Sequence, residues 1–262
     1  MTSAGAPPRR ALVASPTAPA QEAARTLADA HDWVPAEDAD LVIALGGDGF
    51  MLQTLHAMLA RRGNPVPVFG MNLGTVGFLM NEWRPHGLED RLSRAKPFKV
   101  TPLQVTITGM DGCVHQRPAI NEVSLLRETR QTAKLAVSVN DRLVMPELAC
   151  DGILVATPAG STAYNLSAQG PILPLGTGLL ALTPISPFRP RRWRGAILPD
   201  KARIGLKVLN PAKRPVSAVA DQFEVRDVAS VEVCIDRARE LTLMFDPEHA
   251  LDDRITMEQF IA

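Results

Sequence analysis

The sequence predicts an α/β domain with a parallel sheet over residues 1–95 and an all-β, sandwich-like domain over residues 96–240. Three observations predict this. Up to Ala95, short and uniformly apolar runs alternate with longer amphipathic stretches, the pattern of strands buried on both faces and joined by helical crossovers. After the Lys96-Pro97 break, β-branched residues recur with a period of two, as antiparallel strands with one buried face require. At 262 residues, with 46% apolar and 21% charged side chains, the chain is long enough for two domains and too apolar for disorder.

Each element follows from its own residues. Ala11-Leu-Val-Ala14, Leu41-Val-Ile-Ala-Leu45 and Val66-Pro-Val-Phe69 lack polar alternation and read as buried strands. Residues 21–30 have helix-forming composition. Met51, Leu52, Leu55, Met58 and Leu59 recur at helical spacing before Arg61-Arg62-Gly63 ends that helix. In the second part, residues 99–108 and 134–139 alternate as strands, and Asn140-Asp141 reads as a hairpin turn because both residues tolerate left-handed backbone. Further strands are expected at 152–156, 202–208 and 231–235. Residues 241–262 regain charge and helix-compatible composition, and are expected to pack back on the first domain.

Charge and cysteine content narrow the function classes. Lys and Arg number 28 and so do Asp and Glu. This balance, without a long basic run, argues against nucleic-acid or membrane-surface partners, which need clustered cations. Cys113, Cys150 and Cys234 are too scattered for a disulfide framework or a CxxC knuckle. With neither a secretory signal nor a membrane span at the N-terminus, the expected location is the cytoplasm. The five histidines have no H-E-x-x-H spacing, so no metal bound by protein side chains is expected.

Three motifs carry chemistry. Gly46-Gly47-Asp48-Gly49 follows a buried strand and precedes a helix, where glycines let backbone N–H groups approach phosphate oxygens and the helix N-terminus adds partial positive charge. It matches neither the G-x-G-x-x-G nor the P-loop pattern. A carboxylate among phosphates needs a task, so Asp48 either takes a hydroxyl proton or organises a metal; its structural alternative is to cap the helix. The second motif, Asp151 to Ser167, opens a charge-free stretch from Gly152 to Phe188. Pro158, Pro171, Pro174, Pro184 and Pro187 break any spanning helix there. Ser161, Thr162, Tyr164, Asn165 and Ser167 are then neutral partners for an adenine edge or an amide, or simple helix caps. The third, Asn121-Glu122, matches a ribose diol: the carboxylate accepts two hydroxyl protons and the carboxamide donates and accepts. Its alternative is a solvated strand edge.

Taken in order, Gly46-Gly47-Asp48-Gly49, Asn72-Leu-Gly-Thr-Val-Gly-Phe-Leu79, Asn121-Glu122, and Asp151 through Ser167 followed by Gly170-Pro171-Ile172-Leu173 resemble the NAD kinase family over most of the chain. The resemblance implies the fold, a Rossmann-like N-terminal domain and a β-sandwich-like C-terminal domain with the active site between them, in a homodimer or homotetramer. It implies transfer of the γ-phosphoryl group of ATP, carried with Mg2+, to the 2′-hydroxyl of the adenosine ribose of NAD. Asp48 would be the base, and Gly46, Gly47 and Gly49 the phosphate loop. NAD would be bound by Asp48, Gly49, Asn121, Glu122, Asp151 on the nicotinamide side, Ala159, and an adenine pocket of Thr162, Ala163, Tyr164, Asn165, Leu166 and Ser167, with Gln222 nearby. A lipid or sugar kinase sharing GGDG leaves the Thr157 to Tyr164 segment unexplained, and a non-catalytic NAD(P) sensor leaves Asp48 unexplained. Phe50 replaces a common Thr, Ala159 the Thr of PTGSTAY, and Gln169 one glycine of GGPIL. The basic run Arg189, Arg191, Arg192 and Arg194 reads as a solvated or subunit-contact face.

Overall fold

The computed structural model describes residues 8–74 and 77–247. They divide into two compact units, one of residues 8–100 with 239–247 and one of Thr101–Ala238. The first begins with β1 (Arg10–Ala14), α1 (Ala18–Ala28), β2 (Leu41–Gly46), α2 (Asp48–Ala60) and β3 (Val68–Asn72). The three strands pair in parallel, and β2, flanked on both sides, is buried along its whole length. α1 packs Ala20, Ala23 and Leu27 with Ile43, Leu45 and Phe69 of the sheet, while α2 buries Met51, Leu52, Leu55 and Met58. α1 starts earlier than its composition suggests because Pro19 suits the first helical turn, where no N–H partner is lost. β4 (Asn81–Glu82), α3 (Leu88–Arg94) and β5 (Lys96–Val100) follow.

The second unit contains β6 (Leu103–Gly109), β7 (Val114–Ala119), β8 (Glu122–Arg127), β9 (Ala133–Val139), β10 (Arg142–Cys150) and β11 (Gly152–Ala156). A 3₁₀ turn (Ala159–Thr162) and α4 (Tyr164–Ser167) lead to β12 (Leu179–Ile185), β13 (Ala196–Pro199), β14 (Ile204–Val208), β15 (Val216–Ala220), β16 (Phe223–Val225) and β17 (Val228–Ile235). These form two six-stranded antiparallel sheets, β10-β9-β14-β17-β6-β7 and β13-β12-β11-β8-β15-β16. The alternating residues read from the sequence meet in one core, with Leu103, Val105 and Ile107 from the first sheet against Val123, Leu125, Ile153 and Val155 from the second. Asn140 and Asp141 both adopt positive φ, 51° and 64°, and close the β9–β10 hairpin.

The last strand, β18 (Leu241–Phe245), returns to the first unit and inserts between β3 and β5, giving the order β1-β2-β3-β18-β5. Two departures from the sequence reading meet here. The strand expected over 99–108 breaks at Thr101-Pro102, since proline has no N–H for the ladder, and Lys96–Val100 pairs with β18 instead. Residues 241–245 form a strand where their composition suggested helix, because Leu241, Leu243 and Phe245 alternate with Thr242 and Met244 and only a strand buries all three on one face. Residues 248–262 of the expected tail lie outside the described residues. Behind β18, Arg91 and Asp246 form an ion pair with only 5% of each side chain exposed. Arg91 also donates to the Glu82 carbonyl at 2.8 Å, and the Asn81 amide bridges the carbonyls of Gly70 and Met244. Among the described residues no helix is long and apolar enough to cross a membrane.

Candidate active site

In the first unit, β2 ends at Gly46 and α2 begins at Asp48, with Gly47 at the cap position and no side chain bonded to the first N–H groups. The helix N-terminus is therefore ready to meet an anion. Gly46 lies under Phe50, whose Cβ would stand 2.9 Å from any Cβ added there. Asp48 is one residue past the cap position, so the capping role considered for it does not hold. Its carboxylate instead accepts the N–H groups of Phe78 at 2.7 Å and Leu79 at 3.0 Å. A Cβ on Gly77 would overlap that carboxylate, so the second motif of the first unit serves to seat Asp48.

In the second unit, Asn121 and Glu122 stand at the start of β8. Asn121 Oδ1 and Glu122 Oε2 are buried and have no hydrogen-bond partner. Burial, with the nearby Asp221 carboxylate adding to it, pushes Glu122 from its ordinary 4.5 to about 7. The neighbouring segment is packed against this turn: Thr157 donates its N–H to Asn121 at 2.9 Å, and a Cβ on Gly160 would overlap the Asn121 backbone. Ala159 and Thr162 are buried, Ala163, Tyr164 and Leu166 are half-buried, and Ser167 is exposed. Tyr164 feels both Glu122 and Asp151, which together with burial raise its phenol above the ordinary range.

Two expected hydrogen-bonding groups are used internally. Ser161 bonds the Pro158 and Leu173 carbonyls and accepts from the Leu173 N–H, so it ties a turn rather than capping a helix. Asn165 is fully buried; its amide donates to Ser161 and Pro171 and its oxygen accepts from Thr183 at 2.7 Å. Its side chain therefore ties the segment from Ser161 to Pro171 to β12. Asp151 pairs with Arg127 at 2.6 Å, and both line an open cleft of about 540 Å³ with Tyr164, Arg130 and Ile185. Gln222 is exposed in the two-residue turn between β15 and β16. Arg189 and Arg191 lie over the exposed Phe188 ring, and the run stays at the surface.

The family model for the ATP-NAD kinase N-terminal domain matches residues 13–94, and that for the ATP-NAD kinase C-terminal domain matches residues 120–251. The chain belongs to the ATP-NAD kinase family. Over 252 residues it is 69% identical to the NAD kinase of Rhizorhabdus wittichii, covering 96% of this chain and 98% of that protein. It is 64% identical to the NAD kinase of Zymomonas mobilis, covering 96% and 97%. Among solved structures, yeast NADH kinase complexed with NADH superposes with a TM-score of 0.81 at 22% identity, over 97% of this chain and 88% of that chain. An NAD kinase from Archaeoglobus fulgidus in complex with ATP gives 0.72 at 24% identity, over 95% and 98%. The fold is thus the NAD kinase fold, a parallel-sheet N-terminal domain and an antiparallel β-sandwich.

For this ATP-NAD kinase family member, sequence reasoning missed Arg127 and Asp221, and placed Thr157 in a motif without giving it a role. The available signal for Asp221 was an Asp in a two-residue turn between strands, a position that favours left-handed backbone. Arg127 left none, and the role of Thr157 was hidden because their partners are 24 and 37 residues away in sequence.

Proposed function

We propose that this chain is an ATP-dependent NAD kinase in which the 2′-hydroxyl oxygen of the adenosine ribose attacks the γ-phosphorus of ATP. The hydroxyl proton passes to Asp48 and ADP leaves, yielding NADP. One observation carries the reading: Asn121 Oδ1 and Glu122 Oε2 are buried, adjacent and unpartnered, a cost that a sugar's hydroxyl protons offset. The backbone N–H groups that hold Asp48 support its role as base. A carboxylate has about four acceptor sites, so two remain for the incoming proton while the other two fix its orientation.

The remaining assignments follow the same chemistry. Gly46, Gly47 and Gly49 bring backbone and the α2 N-terminus to phosphate, with Mg2+ arriving bound to ATP and offsetting charge. Ala159, Thr162, Ala163, Tyr164, Leu166 and Ser167 form the adenine pocket, Asn165 acting as its internal brace. Asp151 hydrogen-bonds the nicotinamide side and Gln222 contacts the nucleotide from its turn. Three free thiols support a reducing cytoplasm, and the exposed Leu143, Val144, Phe188 and Ile197 support a homodimer or homotetramer. The test is NADP formation from NAD and MgATP, read by an NADP-specific dehydrogenase. Wild type is expected to turn over, and Asp48→Asn to bind NAD within a few-fold while losing about 10²- to 10⁴-fold in kcat, about 3 to 5 kcal/mol. Near wild-type turnover in that variant would remove Asp48 from the mechanism.

A further inference from the structure

Two residues, Asp221 and Thr157, pair the backbone of the turn that carries Asn121 and Glu122. Asp221 accepts three successive backbone N–H groups, from Ile120 at 2.6 Å, Asn121 at 3.0 Å and Glu122 at 3.3 Å. It returns its own N–H to the Glu122 carbonyl at 3.1 Å. Thr157 takes the other two carbonyls, Ile120 through its hydroxyl at 2.7 Å and Asn121 through its N–H at 2.9 Å. Every backbone polar group of residues 120–122 is thereby paired, which frees the two side chains from any duty in holding the turn.

The reason a side chain is needed lies in the sheet. β15 pairs with β8 only as far as Ala220 opposite Val123, and the chain then turns at Asp221, whose φ is 50°. No strand carbonyl continues the ladder, and three N–H groups converge on one anion as in a backbone nest. We propose that Asp221 is a positioning residue for NAD, fixing Asn121 and Glu122 by their backbone and setting the charge beside them. This rests on the NAD kinase reading and names how its sugar site is built.

The charge separates this role from simple packing. A neutral asparagine fits the same left-handed position, whereas an aspartate here repels the ionised form of Glu122. The ionisable group acting on Glu122 is Asp221 from the β15–β16 turn, while the Tyr164 phenol of α4 feels the Glu122 charge in turn. Together with burial, the Asp221 charge keeps Glu122 titrating near neutrality. Glu122 then meets the sugar as a donor as well as an acceptor, and repels a newly formed 2′-phosphate less than a full anion would.

The experiment compares wild type, Asp221→Asn and Asp221→Glu in the full chain. Asp221→Asn keeps shape but presents an amide donor where an acceptor stood. The expected result is a roughly 10-fold rise in KM for NAD, with kcat and KM for ATP within about 2-fold. The alkaline limb of kcat/KM for NAD moves to lower pH, because Glu122 has lost a neighbouring negative charge and gives up its proton more readily. Asp221→Glu keeps the charge, so its KM for NAD rises while its alkaline limb stays near that of wild type. Calorimetric titration with NAD should show the same affinity loss whether or not NADP forms, which separates failure of this proposal from failure of the kinase reading. An unchanged NAD affinity, an alkaline limb that does not move in Asp221→Asn, or equal losses for NAD and ATP would each overturn it.

Discussion

Glu122 carries a cost that can be measured without substrate. Its carboxyl binds a proton more tightly folded, near 7, than unfolded, near 4.5, so folding is favoured by protonation. That contribution is present below about pH 4.5 and is lost as pH rises through about 7, a change of about 3 kcal/mol. Glu122→Gln, which stays neutral, is expected to be more stable than wild type at pH 8 by up to about that amount. Thermal melts should show the difference shrinking to under about 1 kcal/mol at pH 5. A pH-independent difference would mean that the glutamate is not titrating in its buried position. The candidate residues of this site could be drawn from the sequence because hydroxyl and phosphate recognition use few side-chain types. What holds them could not: Asp221 acts on backbone about 100 positions away, and backbone donors leave no mark in a sequence.

At the scale of elements, the short α4 illustrates a local rule broken. Gln169 follows its C-terminus with φ of 62°, and its N–H bonds the Leu166 carbonyl at 2.8 Å. Left-handed backbone at a helix C-terminus suits glycine and strains other residues by about 1–2 kcal/mol, which gives the departure from the GGPIL pattern a physical meaning. Gln169→Gly is expected to stabilise the chain by about 0.5–1 kcal/mol after glycine's greater unfolded freedom is counted, read as a rise in the urea midpoint. Strand and helix positions were readable wherever one period dominated, as in β2, α2 and β9. Reading failed at Thr101-Pro102, where one alternating run belongs to two sheets, and at β18, whose five residues are too short to outweigh the charged sequence after them.

For the molecule as a whole, the first unit depends on residues from both ends of its sequence. Arg91 in α3 and Asp246 after β18 are 155 positions apart and share a buried ion pair. Removing one partner strands a charge, so Asp246→Ala is expected to cost about 3–5 kcal/mol in urea unfolding. Arg91→Met combined with Asp246→Leu should recover most of that loss, since two apolar groups replace the pair without leaving either charge alone. A double variant as unstable as the single one would locate the cost in packing rather than in the orphaned guanidinium.

The return of β18 also reverses the usual order of folding during synthesis, in which N-terminal domains complete first. Every strand of the sandwich has been translated once Ile235 is added, whereas the sheet bearing the glycine loop still lacks its fourth neighbour. A nascent chain stopped just short of Leu241 therefore holds every strand of the sandwich but lacks the strand that joins β3 to β5. On the ribosome, the turn bearing Asn121 and Glu122 is complete before the sheet that carries Asp48.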